Sequence, residues 1–168
     1  MDNGSAGPDA REGSASDDVP LKLEEFLPYR LNVAAALVSE ALSRIYAARH
    51  GLGVPEWRVL ATLGQYGVMT GKAIGEHAHM HKTKVSRAVA LLARRRLVLR
   101  RANKADMREW FLSLTPAGRA IYQDLAPVAV AFARRFVEAI DPADRAAFDR
   151  ALKAVTERAK KLTGFSGA

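Results

Sequence analysis

One segment limits what this chain can fold into more than any other. Between Lys82 and Arg95, Val85, Ala88, Val89 and Leu92 fall at helical spacing and build one apolar stripe, while Lys82, Lys84, Ser86, Arg87 and Arg94 occupy the other face. Such a helix must be glued down on one side and left in water on the other. Two short β-type stretches follow, Val98–Arg101 and Glu109–Leu114. In the second, Trp110, Leu112 and Leu114 alternate with Glu109, Phe111 and Ser113, the period-two signal of a strand. The polar stretch Ala102–Arg108 joins the two strands.

The flanking segments complete a pattern. Leu31, Ala35, Val38, Leu42 and Ile45 form a stripe along a helix expected from Leu27 to Arg49 and ended by Gly51. Pro55 reads as the first residue of a short helix carrying Trp57, Val59, Leu60 and Leu63. Thr70 reads as the N-cap of another, with Ile74 on its inner face, and a turn around His79–His81 leads to the Lys82 helix. Helix, turn, helix, strand, basic loop and strand make a winged helix-turn-helix. Thr115-Pro116 then opens a helix running to Ile140, with a bend expected at Pro127. Asp141-Pro142 opens a last helix striped by Phe148, Leu152, Val155, Ala159 and Leu162.

The expected fold class is therefore mainly α with a small β-hairpin wing. The reading divides the chain into a disordered acidic tail at 1–20, an N-terminal dimerisation helix at 21–52, a DNA-binding region at 53–115 and C-terminal dimerisation helices at 116–163. Neither flanking stripe is needed to finish a winged helix of this size, so the leftover seams imply a homodimer, with packing of the first helix on the last as the other possibility. A two-fold dimer presents its two reading helices about one DNA turn, ~34 Å, apart.

Charge supports a nucleic-acid partner. The net charge is +8 over 168 residues, and it is concentrated: ten bases and one acid lie between Lys82 and Arg108. There is no cysteine, which excludes disulfides, thiol catalysis and Cys-ligated metal, and fits a cytoplasmic protein. No apolar run is long enough to span a membrane, and the acidic Gly/Ser-rich start does not read as a signal peptide. There is no Gly-rich phosphate loop, nucleophile elbow or paired-carboxylate motif, so the chain is not read as an enzyme and no cofactor is expected.

Residues near the start of a reading helix usually reach bases, and Lys, Arg, Ser and Thr can serve either base edges or phosphates. The DNA-binding candidates are Thr70, Lys82, Thr83, Lys84, Ser86 and Arg87, with Arg108 of the wing in a minor groove and Lys104 on phosphate. Phosphate repels Asp106, which is expected to brace the loop instead. Arg94–Arg96 read equally as DNA contacts or as a solvated helix end. A winged helix used for protein or structured-RNA contact is the alternative, and it would not need the arginine-bearing wing.

The run Met80-His81-Lys82-Thr83-Lys84-Val85-Ser86-Arg87-Ala88-Val89, then Leu97-Val98, then Asp106-Met107-Arg108, then Leu112-Ser113-Leu114-Thr115-Pro116-Ala117-Gly118 resembles the MarR family of regulators. The resemblance spans about Phe26 to Leu162. It implies an obligate homodimer with intertwined first and last helices that represses from a palindromic double-stranded operator. Release by a small anionic aromatic ligand is implied as well. Asp106 and Arg108 match the family's wing acid and minor-groove arginine. Met107 stands where a second base is usual, Glu109 where small residues are common, and His81 where Asp or Ser normally caps the reading helix.

A family-type effector pocket would lie between the dimer helices and the DNA-binding unit. Tyr29, Arg30, Asn32, Tyr46, Trp57 and Arg58 are its expected lining, although the aromatics also suit a core. The sequences around Pro28–Asn32 and Pro55–Leu60 resemble regulators of aromatic-acid or hydroxycinnamoyl-CoA catabolism. His77, His79 and His81 do not converge at a spacing that suits a metal, so none is expected.

Overall fold

The computed structural model describes residues 20–103 and 109–163. They fall into two compact units divided between Leu37 and Val38. In the first unit, Lys22 pairs with Glu25 at 3.4 Å in a turn that feeds helix α1 (Leu27–His50). Leu27, Tyr29, Leu31, Val33 and Leu37 are all exposed along the part of α1 belonging to this unit.

The second unit holds the rest of α1, then α2 (Val54–Tyr66), β1 (Met69–Thr70), α3 (Gly71–Ala78), α4 (Lys82–Arg94), β2 (Val98–Ala102), β3 (Trp110–Leu114), α5 (Pro116–Glu138) and α6 (Pro142–Leu162). The strands form an antiparallel sheet in the order β1-β3-β2. β1 has no counterpart in the sequence pattern. Its two residues pair Met69 with Leu112 and Thr70 with Phe111, which ties the start of the helix-turn-helix to the wing ribbon. Two residues carry no readable alternation, so only the partner strand defines them.

One core joins α2, α3, α4 and the sheet. Val59, Leu60 and Leu63 from α2, Ile74 from α3, Val85, Ala88, Val89 and Leu92 from α4, and Val98 and Leu112 from the strands are all buried. The stripe expected on α4 is the stripe that is buried.

Three helices of this unit end in the same way. Gly51, His79 and Arg96 each adopt the left-handed conformation, with φ of 59°, 48° and 56°. Each is followed by a buried apolar residue: Leu52, Met80 and Leu97. After α3 and α4 the hydrogen bonds are those of a Schellman turn. Met80 N donates to Gly75 O and His79 N to Glu76 O, then Leu97 N to Leu92 O and Arg96 N to Ala93 O. The apolar residue anchors each turn in the core, and this anchorage offsets the cost of holding His79 and Arg96 where glycine is at ease.

Pro127 lies inside α5, which continues through it. α5 stops at Glu138, just short of the expected Ile140, and Asp141 caps α6 by accepting from the Ala143 amide at 2.9 Å. α6 buries no residue.

Candidate nucleic-acid interface

The reading helix is held by its caps as well as by its stripe. His81 is the N-cap of α4, and its Nδ1 accepts from the Thr83 amide at 3.4 Å. An imidazole thus takes the place of the usual Asp or Ser side chain, at a longer and weaker distance. Thr70 caps α3, its hydroxyl oxygen accepting from the Ala73 amide at 3.2 Å. That hydroxyl can still donate its own hydrogen outward.

With Val85, Ala88, Val89 and Leu92 facing inward, Lys82, Thr83, Lys84, Ser86 and Arg87 are all exposed. This is the division expected from the sequence. A groove of about 950 Å³ separates the start of α4 from the ribbon, and Val85, Ser86, Val89, Arg100, Trp110 and Leu112 are among its lining residues. Lys104, Asp106 and Arg108 lie outside the described residues. The ribbon closes toward them with Asn103 N donating to Glu109 O at 3.1 Å.

Trp110 marks where the ribbon leaves the core. The register pairs Arg100 with Leu112 and Ala102 with Trp110, so these residues share one face of the ribbon, as alternation requires. Only Leu112 is buried there, while Trp110 is 43% exposed. The ribbon has passed the end of β1 by this point and runs beyond the core. Trp110 meets Arg100 instead, whose guanidinium carbon sits 4.8 Å from the ring centroid.

The arginine triplet after α4 is divided among different tasks. Arg95 donates to the carbonyls of His50 at 2.7 Å and Gly51 at 3.2 Å, capping the C-terminal end of α1. Arg96 supplies the left-handed turn. Nothing in the triplet itself distinguishes these positions, because each assignment depends on a distant segment.

The three histidines named from the sequence have separate places. His77 packs at a tilt against Tyr66 with 4.4 Å between ring centroids, His79 makes the turn after α3, and His81 caps α4.

Among the expected effector contacts, Tyr29, Arg30 and Asn32 belong to the first unit and are exposed. Tyr46 and Trp57 are buried and stack at 5.8 Å, and Arg58 is exposed on α2. Burial pushes the Tyr46 phenol up from its ordinary value, Arg58 partly offsets this, and Glu56 adds to it. The phenol is therefore neutral at any physiological pH.

The MarR family profile matches residues 50–109, the span that carries α2 to the base of the wing. A MarR family transcriptional regulator from Silicibacter pomeroyi is 30% identical, with 80% of this chain and 90% of that chain covered and a TM-score of 0.66. The chain belongs to the MarR family. A second member, SPO1453 from Silicibacter pomeroyi DSS-3, is 28% identical over 82% of this chain and 98% of that one, with a TM-score of 0.72. BpsR of Bordetella bronchiseptica, whose DNA binding is regulated by 6-hydroxynicotinic acid, is 21% identical over 82% and 97% with a TM-score of 0.71, and it bears on the fold alone. No curated protein matches the chain. As a MarR-family member the chain is a DNA-binding transcriptional regulator. Its family works by binding DNA rather than by catalysis. Among the described residues no helix is long and apolar enough to cross a membrane.

Proposed function

We propose that this MarR-family chain is a homodimeric repressor that leaves a palindromic operator when a small aromatic acid or its CoA thioester binds. The observation that carries the reading is α4 itself: a helix buried along one stripe that presents Lys82, Thr83, Lys84, Ser86 and Arg87 to solvent. Lys82, Thr83, Lys84, Ser86 and Arg87 read the major groove in this proposal, and Arg108 enters the minor groove. Thr70 and Lys104 hold backbone phosphates, and Asp106 braces the wing loop.

The dimer reading is supported by exposed apolar side chains on the last two helices. Phe148, Leu152 and Leu162 on α6, with Phe136 and Val137 on α5, are each more than two-fifths exposed. Residues 21–52 and 116–163 form the dimer in this proposal, and 53–115 the DNA-binding part. Tyr46, Trp57 and Arg58 of the second unit are effector contacts in this proposal, and Tyr29, Arg30 and Asn32 of the first unit are further candidates. That BpsR responds to 6-hydroxynicotinic acid supports a small aromatic acid as the chemical class.

The test is a band shift on DNA from the protein's own promoter at about 50 and about 200 mM salt, with random duplex as competitor. A sequence-preferring complex that weakens steeply with salt, and that aromatic acids or their thioesters dissolve, is expected. Binding that does not prefer the promoter over random duplex refutes the repressor reading.

A further inference from the structure

Once Arg95 is assigned to the cap of α1 and Arg96 to a turn, Arg94 remains. It lines a shallow depression with Arg87, Ala90, Leu91, Ala93 and Arg100. Arg87 and Arg94 are two helical turns apart, about 10 Å along α4. Arg100 comes from the adjacent strand β2. The side chains between them are alanines and one leucine, which let a partner's backbone come close. No carboxylate lines the depression, and among the described residues none of the three arginines makes an ion pair.

Arg100 is held in a telling way. The Trp110 ring restrains the guanidinium by cation–π contact at 4.8 Å. A carboxylate partner would orient an arginine and also cancel its charge. An indole orients it and leaves the charge and the in-plane N–H donors free for an anion. Three guanidinium groups that pair with no carboxylate among the described residues, set around an apolar floor, suit the phosphates of an extended polyanion.

We propose that Arg94 and Arg100 form a phosphate track for the DNA backbone that continues from Arg87 past the base-reading half of α4, with Trp110 as the residue that positions Arg100. The track rests on the DNA-binding reading above and adds Arg94, Arg100 and Trp110 to it. It touches phosphate only, so it contributes affinity without sequence preference.

The test measures binding of promoter and random duplex across a salt series for wild type, Arg94→Ala/Arg100→Ala, and Arg150→Ala/Arg158→Ala. The last pair removes the same charge from α6. The track predicts that Arg94→Ala/Arg100→Ala weakens both duplexes by a similar factor. It also predicts that the slope of log affinity against log salt falls by about 0.9 for each phosphate left without its arginine. The α6 pair should leave the slope near wild type. Trp110→Leu should weaken both duplexes, and Trp110→Phe should recover most of the affinity. An unchanged slope in Arg94→Ala/Arg100→Ala, with wild type still binding in a salt-dependent way, overturns the track alone. Failure of wild type to bind either duplex overturns the DNA-binding reading itself.

Discussion

The Thr115 hydroxyl donates to the carbonyl oxygen of Arg96 at 2.8 Å and accepts from the Gly118 amide at 3.0 Å. The same side chain therefore caps α5 and fastens the left-handed turn that ends the reading helix. The Thr115 amide adds a bond to Leu97 O at 3.0 Å. Thr115 is almost fully buried, so neither of its hydroxyl's partners is replaced by water if the oxygen is removed.

Thr115→Val keeps the shape and removes every bond of the hydroxyl, including a longer one to Leu97 O at 3.3 Å. It should cost about 2 kcal/mol, the sum expected for a lost cap and a buried carbonyl left short of a donor. Thr115→Ser should remain close to wild type. Urea unfolding checks both, and a valine variant as stable as wild type would show that the oxygen does not join α5 to the turn.

Gly118 has no room for a side chain, because a Cβ there would run into the carbonyl of Leu97, which is backbone and cannot swing aside. Gly118→Ala should destabilise by about 2 kcal/mol or more through forced separation of α5 from the turn. Thermal unfolding measures it. An alanine variant that melts with wild type would mean the approach is looser than described.

Arg96 holds a left-handed φ of 56°, where a side chain is strained and glycine is not. Arg96→Gly should raise stability by about 0.5–1 kcal/mol, an uncommon sign for the loss of an arginine. A fall in the melting temperature would argue that the Arg96 side chain contributes an interaction larger than the strain.

Asp124 on α5 joins the end of α1, its Oδ2 2.8 Å from His50 Nε2 and its Oδ1 accepting from Arg49 at 3.5 Å. The His50 hydrogen bond, with the Arg49 charge beside it, lowers the Asp124 carboxyl below its ordinary 3.8. A carboxyl depressed in the folded state stabilises the fold above its unfolded value, and the effect is lost as pH falls through the folded value. Asp124→Asn should thus be less stable than wild type near neutral pH, and the gap should close below about pH 4. Paired melts across that range decide it, and a gap that persists in strong acid rules out the charge as its cause.

Leu152 is 45% exposed on α6, a helix that buries nothing within its own chain. Leu152→Asp should break a dimer seated on that seam, because a carboxylate in an apolar seam loses its hydration without gaining a partner. Sedimentation that still shows a stable dimer would move the interface elsewhere.

The polar face of α4 was legible because it is written in one helix. Val85, Ala88, Val89 and Leu92 recur at the helical period, and local periodicity alone assigns Lys82, Thr83, Lys84, Ser86 and Arg87 to the other side. The caps at Thr70, Thr115 and Asp141 were legible for the same reason, since a cap and its amide lie within three residues of each other. His81 was the exception, because imidazole rarely stands in for a hydroxyl or carboxylate at that position.

Trp110 shows where such reading ends. Its alternation with Leu112 correctly placed both on one face, but period two cannot say where along a strand the core stops. Arg94, Arg95 and Arg96 are alike in sequence, and they differ only because the His50 carbonyl, the Thr115 hydroxyl and the Arg100 strand arrive from elsewhere. The sequence by itself determined the helices and the two strands of the ribbon, which face of α4 is polar, and that the charge gathers there. Tertiary structure decided which of those charges are taken up as caps and turns and which stay free, because that depends on carbonyls and rings brought close from tens of residues away.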